Sequence, residues 1–270
     1  MKKKITAILL TAVLSLGILS GCGKKSDGVD DSWTKVQEKK EFVLGLDASF
    51  PPMGFTDDKG DIVGFDIDLA REACKRLGIE LKVQPINWDA KEQELNTGNI
   101  DAIWNGFTIN EDRKKQVLFS EPYMKNRQVI VVNSNSNIND MGDLAGKTLA
   151  LQSASSAADA LDKYQEFKDS LKEVVEFKDN MTALMDLEKG GVDSVLMDEV
   201  VAKYYIEKKD KSYKIIDEGL GAEEYGIGFR KGDKALMEKF QEILKEMAKD
   251  GKIAEISKEW FGEDITTIGK

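Results

Sequence analysis

Arg113 stands where an arginine can bind an anion. It closes the stretch DAIWNGFTINEDR (residues 101–113), in which an apolar run, Ala102-Ile103-Trp104, breaks at Asn105-Gly106 and passes through Thr108 and Asn110 to two acids and the arginine. Asn110 reads as a helix N-cap, and Glu111 and Asp112 suit a first turn. An arginine on that turn reaches over the end of the preceding strand, and its fork takes a carboxylate through two parallel hydrogen bonds. Amides at residues 106–108 would add donors. A second loop, Ser153-Ala154-Ser155-Ser156, also precedes a helix, and its amides favour an anion too. Asp198 ends an apolar strand, where a carboxylate can hold an ammonium group, and Asp47 ends another beside Phe50 and two prolines.

Each residue also has a purely structural reading. Arg113 could pair with Glu111 or Asp112 on the surface. Asp198 could cap a helix over 200–206, Asp47 could stabilise its own loop as an Asx turn, and Phe50 and Trp88 could be core, as Trp104 reads. Together they match a free amino acid. Arg113 takes the carboxylate and Asp198 the ammonium, Phe50 and Trp88 hold the chain between them, and Asp47 with Gln152 reads its tip.

The elements that must position these groups alternate. Strands are expected over 41–46, 80–83 and 100–104, with helices over 65–77, stopped by Gly78, and 90–96, capped by Asp89. After a strand at 128–132 the pattern restarts, with strands at 147–151, 174–177 and 192–196 and helices at 157–167 and 182–188. A helical stretch over 233–260 closes the chain. This alternation implies a mainly parallel sheet with helices on both faces. LNTGNIDAIWNG (95–106) aligns with LEKGGVDSVLMD (187–198), and FVLGLDASF more loosely with KTLALQSAS, placing Asp47 opposite Gln152. Two similar halves would then present strand carboxyl ends to one another, where open α/β sheets bind ligands.

Composition narrows the chemistry. The 270 residues are 41% hydrophobic and 33% charged, with a net charge of −10. Met1 and three lysines precede an apolar run over 5–19, too short for a comfortable membrane span and read as an export signal covering 1–21. Its removal takes three lysines and leaves 36 basic against 49 acidic residues, a charge of −13. Such a surface repels nucleic acid. There is no histidine, which removes the commonest general base and metal ligand. No metal, cofactor or catalytic residue is expected. LSGC (19–22) resembles a bacterial lipobox, in which Cys22 becomes the lipidated first residue, and residues 22–35 read as a flexible tether. With Cys22 lipidated, Cys74 has no partner for a disulfide.

The chain resembles the extracytoplasmic amino-acid-binding proteins of ABC importers, in the polar amino-acid family. The resemblance rests on GLDASFPPMGF, GDIVGFDIDLA, NTGNIDAIWNGFTINEDRKKQVLFSEPY, LALQSASSA and GGVDSVLMDEV, in family order across about 42–260. It implies an α/β fold of the two-lobed periplasmic-binding-protein type (type II) with a two-strand hinge. Residues 36–126 and 226–270 would form lobe 1 and 127–225 lobe 2, closing on the ligand. The family's side-chain-reading acid falls on Asp47, its stacking aromatics on Phe50 and Trp88, its carboxylate-binding arginine on Arg113 and its ammonium-binding acid on Asp198. Its polar strand-end run falls on Asn105, Gly106 and Thr108. Its SGT loop is altered to Ser153-Ala154-Ser155, with the Ser156 amide assigned to the carboxylate. The implied partners are an amino acid, an ABC permease and a lipid anchor on the outer face of the cell membrane, the protein itself being a monomer.

Arg113 and Asp198 cancel a zwitterion and leave Asp47 over. A buried unpaired carboxylate is costly, so the expected ligand is basic, arginine or lysine, with glutamine and cystine as alternatives. Two other functions share the fold: an enzyme resembling cyclohexadienyl dehydratases, and a ligand sensor for a signalling partner.

Overall fold

A computed structural model of the protein describes residues 29–208 and 211–270. The expected signal (1–21) and Cys22 lie outside the described residues.

Strand β1 (Glu41–Leu46) sends Phe42, Leu44 and Leu46 to one face of its sheet and Val43 to the other, and all are buried. Strands buried on both faces need helices on both, and the chain alternates accordingly. Helix α1 (Ser32–Lys39) precedes β1. After it come β2 (Ser49–Phe50), β3 (Gly54–Thr56), β4 (Ile62–Val63), α2 (Phe65–Leu77), β5 (Glu80–Pro85), α3 (Lys91–Thr97), β6 (Ala102–Ile103), α4 (Glu111–Gln116) and β7 (Leu118–Phe119). The long strand β8 (Met124–Asn133) opens the second half, followed by β9 (Thr148–Gln152), α5 (Ser156–Leu161), α6 (Gln165–Ser170), β10 (Glu173–Phe177), α7 (Asn180–Lys189), β11 (Ser194–Asp198) and α8 (Glu199–Lys203). Strand β12 (Tyr213–Tyr225) returns to β13 (Gly228–Phe229), α9 (Lys234–Lys249) and α10 (Lys252–Phe261).

Two five-stranded sheets result, ordered β5-β1-β6-β13-β7 and β10-β9-β11-β8-β12, beside a small sheet of β2, β3 and β4. The chain passes between the large sheets twice, on β8 and β12. These pair antiparallel from Met124 opposite Tyr225 to Asn133 opposite Tyr213.

The internal repeat is structural. In both halves a helix ends at a left-handed glycine, Gly98 (φ 82°) after α3 and Gly190 (φ 75°) after α7. The aspartate that follows each, Asp101 or Asp193, accepts a backbone N–H from the neighbouring parallel strand: Val43 in one half, Thr148 in the other, both at 2.9 Å. Val43 and Thr148 are the residues paired by the loose sequence alignment. β5-β1-β6 and β10-β9-β11 are thus copies of one unit.

Several expected boundaries move. The folded body starts before residue 36, inside the expected tether, because α1 docks on α9: Leu236 N–H donates to Ser32 Oγ at 3.0 Å and Val36 joins the core. The helix expected over 157–167 is two, α5 and α6, broken at 162–164. The closing helix divides at Gly251, whose φ is 84°. Asp89 does not cap a helix. It lies in a 3-10 turn over Trp88–Ala90, and α3 starts at Lys91 without a side-chain cap.

Candidate functional site

The carboxyl ends of β1, β6, β9 and β11 face one another across the gap between the sheets. Asp47, Phe50, Trp88, Asn105, Gly106 and Arg113 from the first lobe, with Gln152, Ser155, Ser156 and Asp198 from the second, surround one hollow. Thr108 stands beside it. The lobes are shut: the hollow keeps only about 10 Å³ of free space, about one water's worth.

Arg113 is delivered by a capped turn. Asn110 Oδ1 accepts the Arg113 N–H at 2.8 Å. Glu111 and Asp112, the surface partners Arg113 could have taken, pair instead with Lys114 and Lys115. Arg113 is 6% exposed; its guanidinium lies 4.7 Å over the Phe107 ring and donates to Thr108 O at 3.1 Å and across the cleft to Ala154 O at 3.4 Å. It makes no ion pair among the described residues, although every other arginine does or, for Arg127, joins Glu199. Burial lowers its pKa.

The amides are apportioned differently from expectation. Gly106 N–H is spent on the buried Asp66 carboxylate at 2.7 Å, so it is no ligand donor. Its φ is +55°, and a Cβ there would lie 2.9 Å from the Phe50 ring, so glycine shapes the wall. Thr108 faces Tyr225 in a bridge whose bonds run from Ile109 N to Glu224 O and from Gly226 N to Phe107 O, which leaves the Thr108 N–H outside the ladder. In the second lobe Ser155 caps α5 through its Oγ, Ser156 N–H lies in the first turn, and Ala154 takes a left-handed φ of 51°. An alanine in that conformation costs roughly 1–2 kcal/mol. Its carbonyl, accepting from both Lys91 Nζ at 3.0 Å and Arg113, helps hold the loop there.

Asp198 is at the N-cap position of α8 but makes no side-chain cap bond. Its Oδ1 accepts instead from Asn126 Nδ2 (2.6 Å), Gln128 Nε2 (3.0 Å) and the Tyr225 hydroxyl (2.7 Å). Burial, then the nearby Glu223, raises its pKa. Asp47 stabilises its own loop, as its structural reading has it, and also meets the other lobe. Oδ1 accepts its own loop's Ser49 N–H at 2.9 Å, and Oδ2 accepts Gln152 Nε2 from the other lobe at 2.7 Å. Burial raises its pKa as well. Asn105 Oδ1 holds the Asp47 N–H at 3.0 Å, so it supports the acid. Trp88 packs edge-on to Phe107, and Trp104 is fully buried core.

Sequence reasoning missed Glu223, Gln128, Asn126 and Lys91. Glu223 Oε2 accepts from Thr108 Oγ1 and Gln128 Nε2, each at 3.0 Å, and Asn126 Nδ2 at 3.2 Å. Nothing distinguishes this glutamate among 49 acids, and only the pairing of β8 with β12 brings it to the cleft. Lys91 is 3% exposed and spans the cleft to Ala154; a lysine in the first turn of a helix reads as surface.

Residues 42–263 match the model of the bacterial extracellular solute-binding proteins, family 3. The chain is similar to the L-cystine-binding protein TcyJ of Escherichia coli (strain K12), at 30% identity covering 95% of this chain and 96% of the relative. It is 31% identical to the arginine-binding extracellular protein ArtP of Bacillus subtilis (strain 168), covering 96% and 98%. A solved ABC uptake transporter substrate-binding protein of Streptococcus pneumoniae, with bound histidine, superimposes with a TM-score of 0.85 at 41% identity, covering 88% of this chain and 98% of that one.

Proposed function

The chain belongs to family 3 of the bacterial extracellular solute-binding proteins, and from that premise we propose that it captures a free basic amino acid, arginine or lysine, for an ABC permease. The family's members are extracytoplasmic binding proteins rather than enzymes, which removes support for the dehydratase alternative. The observation that carries the ligand reading is Arg113: a buried arginine that makes no ion pair among the described residues, lining the same hollow as Asp198. A zwitterion satisfies both. At the remaining end Asp47 has only the neutral Gln152 amide across the cleft, and a cationic side chain supplies a charged partner. Glutamate is rejected by like charge.

Closure brings the halves together through bonds that exist only when the lobes meet: Gln152 to Asp47, Ser153 to Asp89 at 2.7 Å, and Asn110 to Asp159 at 2.9 Å. A ligand bridging Arg113 and Asp198 favours this state over the open one. The hinge is the β8–β12 pair. Lipidation of Cys22 would keep the monomer at the outer membrane face, next to its permease; mass spectrometry of the membrane-extracted protein tests this.

Thermal melting of the soluble body against the twenty amino acids and cystine tests the ligand. A ligand at a thousandfold its Kd stabilises by about 4 kcal/mol. Arginine and lysine are expected to raise Tm most. A rise with glutamate and none with arginine or lysine overturns the reading. A rise with glutamine or cystine alone selects those alternatives.

A further inference from the structure

A second space opens beyond the Asp47–Gln152 contact. It is a cavity of about 700 Å³ between the loop after β1 and α7 with the turn after α8, against the nearly filled hollow of the principal site. Asp47 stands on the partition: its Oδ1 binds the N–H of Ser49, which is in the cavity wall, and its Oδ2 binds Gln152. A side chain too long for the hollow would pass between Gln152 and Asp47, and the cavity is the neighbouring free space.

The cavity wall has a definite chemistry. Phe55, Tyr204 and Tyr205 form a run of rings, with centroids 5.5 and 5.8 Å apart at steep angles. Met181 and Met185 of α7 complete it, 43% and 48% exposed, and thioethers adapt to varied shapes. The one lysine in the described wall, Lys211, is held by both oxygens of Glu188 at 3.0 and 3.1 Å. Asp57 Oδ1 is engaged by the Lys59 and Asp61 amides, while Asp58 makes no ion pair among the described residues and lies exposed beside Tyr204. Aromatic faces with unpaired acids attract cations.

We propose that this cavity is a second subsite, which receives the distal cationic end of amino acids longer than arginine or lysine. The α-carboxylate and α-ammonium stay on Arg113 and Asp198, the chain passes between Asp47 and Gln152, and its far ammonium or guanidinium lies against Tyr204 and Asp58. This rests on the amino-acid reading of the principal site.

The test is calorimetric titration with two lysine derivatives of similar length, Nε-glycyl-lysine, which ends in an ammonium, and Nε-acetyl-lysine, which does not. The intact protein is expected to bind the first about tenfold more tightly. Asp58→Asn and Tyr204→Leu, at exposed and half-buried positions, should each erase most of that preference and leave arginine and lysine affinities within about twofold. Equal affinity for the two derivatives, failure of both to bind while arginine or lysine binds, or a preference untouched by either variant overturns the subsite. If arginine, lysine, glutamine and cystine all fail to bind, the principal-site reading itself has failed, and the subsite falls with it.

Discussion

Thr108 and Ser156, one from each lobe, hold their hydroxyl oxygens 3.1 Å apart, and both lie against the same oxygen of Glu223. Gln128 Nε2 also donates to that oxygen, and to Asp198. A hinge carboxylate therefore ties the lobes together and presses on the acid assigned to the ammonium.

Glu223→Gln tests the tie. Charge-assisted hydrogen bonds are worth about 1.5–3 kcal/mol, and losing them should shift the ligand-free protein toward the open form. Small-angle scattering is expected to show a larger radius of gyration for the ligand-free variant and an unchanged one with saturating ligand. Superimposable ligand-free curves would remove Glu223 from closure.

Asp198 supplies a pH dependence. Only its ionised form pairs with an ammonium, and burial with Glu223 holds its pKa above the ordinary range. Affinity should therefore be full above that raised pKa and fall, by up to about tenfold per pH unit, as the pH drops through it. In Glu223→Gln the like charge is gone, so calorimetry should place the decline at lower pH. A decline at the same pH in both proteins contradicts the coupling.

Asp66 supplies a pH dependence of stability. Burial lifts its pKa to about 7, while the unfolded chain keeps the ordinary value near 3.9. Between those values the folded state holds a proton that the unfolded state has lost. Its contribution is fully present at low pH and declines by up to about 1.4 kcal/mol per pH unit as the pH rises toward 7. Asp66→Asn cannot titrate, yet its side-chain oxygen can still accept from Gly106 N–H and the Tyr123 hydroxyl, Asp66's partners at 2.7 and 2.9 Å. The stability difference between wild type and variant, from urea unfolding at pH 4 to 8, should therefore shift toward the variant as pH rises. A constant difference means Asp66 is ionised throughout.

What could be read in advance was what local pattern determines. A short apolar run ending at Asp47 marks β1, the 3.6-residue period and Gly78 bound α2, and the repeat sets Asp47 against Gln152. Longer-range facts were illegible. Gly106 donates to Asp66, forty residues earlier in sequence, and a loop amide is only free if nothing folds back onto it. Glu223 reaches the cleft because β12 pairs with β8, a register that shifts twice between Ile215 and Ala222. Asp89 looked like a cap and instead accepts from Ser153 of the other lobe, a contact that exists only with the cleft shut.

Gly106→Ala probes the wall. The left-handed conformation costs an alanine about 1–2 kcal/mol, and the added methyl would press on Phe50 and, at 3.2 Å, on the Tyr225 ring. Unfolding should show a loss of about 2 kcal/mol or more. Because Phe50 borders the hollow and Tyr225 binds Asp198, affinity should fall as well. A variant as stable as wild type would mean the loop relaxes freely.

Arg113→Lys separates charge from shape. The ammonium keeps the positive charge but loses the planar fork, so it cannot bind a carboxylate bidentately while also serving Thr108 O and Ala154 O. Both carbonyls belong to the site's frame, one on each lobe. Calorimetry should show affinity for the preferred amino acid falling about a hundredfold, close to 2.7 kcal/mol, with the far-ultraviolet circular dichroism unchanged. Arg113→Ala should lose more, since its pocket then holds neither charge nor donor. A lysine variant within threefold of wild type would show that a positive charge alone suffices and that the carboxylate is gripped elsewhere, the Ser156 and Thr108 amides being the remaining donors.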